Sequence, residues 1–177
     1  MAITGPDGPM DAGTITQVDM QSMPADAFSG ATAGDMAAMP ADAMGGMTAP
    51  MMQEMPPHAM QGMDADMMSA MPADAMGGMS GDMMSAMPAD AMGGMSGDMI
   101  EAMPADAMGG MDADMMSAMP AEAMTGMDAG TVSNMSPEAA GSMSSAQMEA
   151  MPPDAMGGAY ADMLEALPQE ALESMDM

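Results

Sequence analysis

The thioether sulfur of methionine is the group in this chain whose spacing first suggests chemistry. Forty of the 177 residues are Met. The spacing Met-x-x-Met recurs, among other places, at Met76/Met79, Met84/Met87, Met92/Met95 and Met108/Met111. Thioethers are soft ligands that suit Cu(I) and Ag(I). One hypothesis is therefore a protein that sequesters soft metal ions.

The methionine spacing belongs to an eight-residue period that runs from Ile15 to Ser174, twenty octads without an insertion or deletion. With Met23 as position a, apolar residues recur at a and, five residues later, at position f. Because f always precedes the next a by three residues, the period itself produces Met-x-x-Met. Where a or f is not Met it is another apolar residue, as at Phe28, Ile100 and Val132. Positions a and f are therefore predicted to form a core in which Met is an adaptable filler.

Octads of two types alternate, so the full sequence unit has sixteen residues. One type has Pro at position b in nine of ten cases and often ends in Gly-Gly, whereas the other usually has Thr, Ser or Asp at b, which are natural N-caps. An acid at position d then falls in the first helical turn, where the helix dipole favours it. Each octad is predicted to form one short helical turn followed by a bend.

This pattern predicts an all-α solenoid of one-turn helices with a Met-filled core, in which two octads make a sixteen-residue coil and twenty octads make ten coils. The predicted divisions are an N-terminal arm or cap at 1–14, the array at 15–174 and a C-terminal end at 175–177. The alternative is a disordered acidic low-complexity chain.

Residues 15–175 resemble the Leu-Pro-x-Glu-Ala-Leu and Leu-Thr-x-Glu-Gln octapeptide arrays of large secreted or surface proteins of bacteria. The segment most similar to that family's unit is Leu167-Pro168-Gln169-Glu170-Ala171-Leu172, and elsewhere Met stands where the family would use Leu. The resemblance implies a repeat architecture, an extracellular or cell-surface setting and an association with calcium. It carries no catalytic residue across.

Position e of the second octad type suggests an interaction surface. It is Met in six octads but Asp19, Asp35, Thr131 or Gln147 in others, and a position that accepts Asp is expected to be partly exposed. The six methionines would form an interaction stripe along one side of the rod: Met51, Met67, Met83, Met99, Met115 and Met163. The alternative is that these side chains fold back on the edge of the core.

Carboxylates suggest a second kind of site. Acids that recur at coil spacing are predicted to gather a cation layer, for which the candidates are Asp64, Asp66, Asp82, Asp98, Asp112 and Asp114. Ca²⁺ is the cofactor that such oxygen ligands would take. Residues 77–85 approximate the Gly-Gly-x-Gly-x-Asp nonapeptide of calcium-binding β-rolls, but that motif requires a nine-residue period and the period here is eight.

Composition narrows the functional classes. The formal net charge is −27 with no Lys or Arg, which disfavours nucleic acid and anionic membranes as partners. No apolar run is long enough to span a bilayer, and the N-terminus lacks the features of a secretory signal peptide. His58 is the one histidine, Cys and Lys are missing, and no catalytic constellation is found, so an enzyme is not expected.

The leading interpretation is a non-enzymatic structural or interaction module: an acidic solenoid that serves as a spacer, scaffold or docking subunit, depends on cations, and binds a protein partner or a second copy of itself. Two alternatives remain open. The chain could sequester Cu(I) or Ag(I) through its thioethers, or it could be an accessory subunit that becomes ordered only on a larger complex.

Overall fold

The protein is an all-α solenoid of short helices. A computed structural model describes residues 3–5 and 8–159, which include the first eighteen octads of the array. In these octads α-helices and 3-10 helices alternate along the chain, except at residues 129–150, where three α-helices follow one another. Most helices are joined to the next by two extended residues, the C-cap at position a and the N-cap at position b, as at Met87 (φ −77°, ψ 139°) and Pro88 (φ −63°, ψ 140°). Helices η2 and α9 end earlier, at Phe28 and Gly141.

The helices have nearly uniform length. The α-helices are α1 (Gln17–Ser22), α2 (Ala33–Ala38), α3 (Ala49–Glu54), α4 (Ala65–Ala70), α5 (Gly81–Ala86), α6 (Gly97–Ala102), α7 (Ala113–Ala118), α8 (Ala129–Asn134), α9 (Pro137–Gly141) and α10 (Ser145–Ala150). The 3-10 helices are η1 (Ala12–Thr14), η2 (Ala25–Phe28), η3 (Ala41–Gly46), η4 (Pro57–Gly62), η5 (Ala73–Gly78), η6 (Ala89–Gly94), η7 (Ala105–Gly110), η8 (Ala121–Gly126) and η9 (Pro153–Gly158).

The opening segment packs on the start of the array. Strand β1 (Ile3–Gly5) pairs antiparallel with β2 (Gly8–Met10), with Ile3 opposite Met10. Ile3 and Ala12 are buried, β1 contacts η2, and η1 contacts α2. The part of residues 1–14 that the structure describes therefore packs against the helices of the second and third octads.

The residue at position b decides between the two kinds of helix. In α5 the Ser80 hydroxyl accepts the N–H of Met83, which leaves the Ser80 carbonyl to accept the N–H of Met84 in an α-helical bond. Pro88 has no side-chain acceptor, so the N–H of Ala91 binds the Pro88 carbonyl instead and closes a 3-10 turn.

The one octad that breaks the proline series supports this account. Ser136 stands where the other described members have Pro, its hydroxyl accepts the N–H of Ala139, and α9 forms in place of a 3-10 helix. Among the octads without Pro at position b, Thr48 is an exception: its side chain does not cap α3, which is still an α-helix and has Pro50 in its first turn.

The solenoid turn contains three octads, not two. Helix α4 begins at Ala65 and packs on η3, which begins at Ala41, twenty-four residues earlier. The same step relates all the stacked helices and sorts them into three faces. Face 1 contains α1, η3, α4, η6, α7 and α9; face 2 contains η2, α3, η5, α6, η8 and α10; face 3 contains α2, η4, α5, η7, α8 and η9.

The prediction of sixteen-residue coils was therefore wrong, although the sixteen-residue alternation is real. The eighteen described octads make six coils, and at the usual spacing of packed helices, ~8–10 Å, the described rod is roughly 50–60 Å long. Because three is odd, octads of opposite type meet on every face, and an α-helix therefore packs on a 3-10 helix everywhere except where α9 packs on α7. Position e on face 1 consequently alternates large and small: Met67, Ala91, Met115 and Ala139.

Glycine at the last octad position permits this stacking. A Cβ built on Gly94 would collide with the Ala65 carbonyl oxygen of the previous coil and lie 2.8 Å from Met68 Cβ. The same collision with a carbonyl occurs at Gly62, Gly78, Gly110, Gly126 and Gly158. None of these glycines has a left-handed φ, so the Gly-Gly pair does not act as a left-handed helix cap. Its second member is needed because two backbones approach closely.

A compensating pair supports the twenty-four-residue register. Ala65 and Ala49 each place their Cβ 3.7 Å from the position of a Cβ on the first glycine of the covering octad, Gly93 and Gly77 respectively. In the one described octad with Thr125 at that place, the residue beneath is Gly97, and a Cβ on Gly97 would collide with the Thr125 hydroxyl. The larger residue in one coil therefore faces the smaller one in the next.

Replacement of Gly94 with Ala should lower the free energy of unfolding by about 1–3 kcal/mol, because the new methyl group meets backbone atoms that cannot move aside. The matched control is Gly93→Ala, whose Cβ has ordinary 3.7 Å contact with Ala65 Cβ and which should be neutral or slightly stabilising. Thermal unfolding followed by circular dichroism measures both. Equal effects of the two substitutions would contradict the close approach.

Candidate functional site

The thioethers form the core. All the methionines between Met20 and Met151 are buried, the most exposed being Met23 at 7%. These include every member of the Met-x-x-Met pairs that suggested copper, and the apolar substitutes Phe28, Ile100 and Val132 are buried at the equivalent positions. The prediction that positions a and f form the core is confirmed for the described octads.

The predicted interaction stripe was wrong. Met51, Met67, Met83, Met99 and Met115 are only 1–3% exposed, and Met163 lies outside the described residues. These side chains also do not share one side of the rod. Alternate octads are two thirds of a turn apart, so the five residues fall on faces 2, 1, 3, 2 and 1 in succession. The alternative, in which they fold onto the core, is the one observed.

Gln147 shows what lies beneath position e. Its side chain is 3% exposed, and its Nε2 donates to the carbonyl oxygens of Met116 (2.7 Å) and Met119 (2.8 Å) in the preceding coil. A side chain at e of an α-helix therefore reaches back over the corner of the coil before it. Polar residues at position e suggested that the position is exposed. Gln147 is instead buried, and its amide is accommodated because it donates to two backbone carbonyls.

Asp19 and Asp35 occupy position e only where the array begins. Each closes a capping box, in which a threonine hydroxyl donates to the carboxylate: Thr16 Oγ1 at 2.6 Å and Thr32 Oγ1 at 2.7 Å. These side-chain bonds, with further bonds from the threonine N–H groups, hold the pKa of both carboxyls below the ordinary value. The resulting stabilisation is present above the ordinary carboxyl pKa and is lost as the pH falls through the lowered value.

The six candidate cation ligands serve different purposes. Asp64 and Asp112 are N-caps whose Oδ1 atoms accept the N–H groups of Met67 and Met115 at 2.8 Å. Asp66, Asp82, Asp98 and Asp114 are exposed in the first turns of α4, α5, α6 and α7. Because these helices lie on faces 1, 3, 2 and 1, acids sixteen residues apart do not lie at the coil spacing that the predicted cation layer assumed.

The carboxylates that do share a row are spaced by twenty-four residues. Face 1 carries an unbroken series at position d, the acid column: Asp42, Asp66, Asp90, Asp114 and Glu138. All five are exposed and lie on successive coils. Sequence reasoning missed Asp42, Asp90 and Glu138 as members because it assumed two octads per coil. Within residues 3–5 and 8–159, no three carboxylates or histidines converge closely enough to hold a metal ion.

Two other sequence features are accounted for locally. His58 is exposed in the first turn of η4. The calcium-like segment 77–85 forms the end of η5 and most of α5, and so has no β-roll turn. It borders an open groove across three coils, where Asp106 is the one carboxylate among the lining residues.

Comparison with protein families, curated proteins and solved structures found no match to this chain. The resemblance to octapeptide arrays therefore stays a prediction. In the part of the chain that the structure describes, no helix has both the length and the apolar character needed to cross a membrane.

Two adjacent buried methionines allow a test of position e. Met83→Gln should change the free energy of unfolding by less than about 1 kcal/mol, because its amide would reach carbonyls equivalent to those that Gln147 binds. Met84→Gln, the same change at a fully buried f position, should cost about 1–3 kcal/mol because its amide finds no such acceptors. Chemical denaturation measures the difference. A larger loss for Met83→Gln would contradict the assignment.

Proposed function

We propose that this protein is a non-enzymatic spacer or scaffold rod whose acidic sides bind cations and basic partners. The observation that carries the proposal is the separation of chemistry between inside and outside. The described core consists of methionine and alanine with few other residues, the acids at d are exposed, and Val18 is the one large apolar residue exposed among residues 3–5 and 8–159.

A spacer needs a length that increases with the number of residues and a surface that does not self-associate. Each coil repeats the same contacts with the coil twenty-four residues away, so each added coil extends the core by the same increment. The uniform negative charge disfavours association between rods. The burial of the e methionines removes the apolar docking stripe from this proposal, and the acid column remains as the surface for a partner of opposite charge.

Cation dependence follows from the charge balance. The chain has 27 acidic residues and no Lys or Arg, so carboxylate repulsion within the compact array is offset only by dissolved or bound cations. The acid column holds its carboxylates about one helix spacing apart, roughly 8–10 Å. That distance is too long for two carboxylates to share one Ca²⁺, whose ligands lie about 2.3–2.6 Å from the ion, so the column suits a layer of loosely held cations better than a site of converging ligands.

Deletion of residues 47–94 removes three sixteen-residue units, which equal two complete coils. We expect the maximum dimension in solution scattering to fall by roughly 16–20 Å while the helical signal per residue is unchanged. Deletion of residues 63–70 is the control: it removes only α4 but stacks octads of like type on one another across the break, and it should lower the melting temperature more. If the chain that lacks residues 47–94 did not fold, the spacer proposal would be contradicted.

Calcium binding should depend on the acid column. In low salt with a chelator, titration with Ca²⁺ should raise the melting temperature more than NaCl of equal ionic strength. The triple variant Asp66→Asn, Asp90→Asn, Asp114→Asn should lose more of this difference than Asp66→Asn, Asp82→Asn, Asp98→Asn, which removes the same charge from three different faces. If the two triple variants responded identically to Ca²⁺, the ion would act by general charge screening and not through the acid column. If the circular dichroism spectrum of the protein were that of an unfolded chain at every Ca²⁺ concentration, the self-supporting rod would be overturned.

A further inference from the structure

The methionine core has a chemical property that neither a spacer nor a cation layer uses. Thirty-four methionines lie between Met20 and Met151, and all are at most 7% exposed. A peroxide oxidises a thioether by transferring one oxygen atom to sulfur: the sulfur loses two electrons and becomes a sulfoxide, and the peroxide is reduced to water or an alcohol. The reaction requires no residue besides methionine.

A sulfoxide cannot return to this core without cost. Its oxygen is a strong hydrogen-bond acceptor, and burial without a donor is unfavourable. The buried polar side chains of the described core are Thr131 and Gln147, and both donors are occupied: Thr131 Oγ1 by the Asp128 carbonyl and Gln147 Nε2 by two carbonyls. A coil that opens and acquires one sulfoxide is therefore hindered from closing again.

The stacking passes this change to neighbouring coils. The backbone hydrogen bonds that close the octads between residues 11 and 159 all join residues three or four apart, so the coils are not joined by a backbone ladder. Each helix instead covers the methionines of the helices twenty-four residues before and after it. Opening one coil exposes thioethers of the next, and the repulsion among the acids opposes recollapse.

We propose that the array is a peroxide-responsive conformational switch in which oxidation spreads from coil to coil and converts the rod into an expanded acidic chain. The buried methionines of the unmodified rod react slowly because only an opened coil exposes their sulfur. Once a coil is modified, its neighbours react faster. Reduction of the sulfoxides by methionine sulfoxide reductases restores the apolar core and the rod. The inference concerns the fold and does not rest on the spacer role.

The test is limited oxidation of the full-length protein by hydrogen peroxide, with intact-mass spectrometry and circular dichroism on the same samples. We expect two populations, one in which the 34 buried methionines are unmodified and one that is heavily oxidised, with helical signal lost in proportion to the second. In urea, where the chain is unfolded, the reaction should be faster by about tenfold or more. The mass spectrum should then show a single distribution that gains oxygen atoms gradually, in place of two populations. Since the chain has no Lys or Arg for trypsin, cleavage at Asp maps the sulfoxides, which should lie in contiguous blocks.

A matched pair of variants tests the spread. Leucine at Met68, Met71, Met84 and Met87 removes four oxidisable sulfurs from the middle of the array, and leucine at Met20, Met23, Met36 and Met39 removes four at equivalent positions two coils earlier. The central variant should accumulate chains in which only the methionines before the leucines, or only those after them, are oxidised. In the N-terminal variant the whole array after the leucines should become oxidised together. Stepwise oxidation scattered along a chain that stays helical, or failure of the reductases to restore the helical signal, would overturn the switch.

Discussion

Apolar contact between octads twenty-four residues apart is the interaction on which the rest of this structure depends. The helices are too short to persist alone in water, and the hydrogen bonds that close the octads are local. What holds each helix is the packing of its a, e and f side chains against the coils before and after it. The glycine that ends most proline octads makes that contact possible, because it lets a 3-10 helix lie directly on the carbonyl of the helix beneath.

The odd number of octads in a turn explains the alternation along the chain. With two octads per turn, like would stack on like and nothing would require two octad types. With three, an octad that carries Met at e lies between octads that carry Ala there, so large and small side chains interdigitate. The helix types follow the same alternation, since a hydroxyl or carboxylate at b selects an α-helix and Pro at b selects a 3-10 helix.

A core of thioethers inside a surface of carboxylates makes the fold sensitive to its solution. Methionine packs well because its unbranched chain fits an irregular interior, but it lacks the fixed shape by which leucine specifies a core. Carboxylates without basic partners tie stability to ionic strength and bound cations. Packing and charge therefore act in opposite directions in every coil, and a change in either one affects the coils above and below.

The sequence by itself determined the eight-residue period, the two octad types, the short helices with their caps, and the burial of positions a and f, because these depend on residues close together in the chain. Only the tertiary structure decided the number of octads per turn, because local patterns do not specify the angle between successive helices. With three octads per turn, the e methionines lie on all three faces and do not form a stripe, and the structure shows that they are buried. The three-octad turn also replaces the expected sixteen-residue spacing of the acids with the column at Asp42, Asp66, Asp90, Asp114 and Glu138.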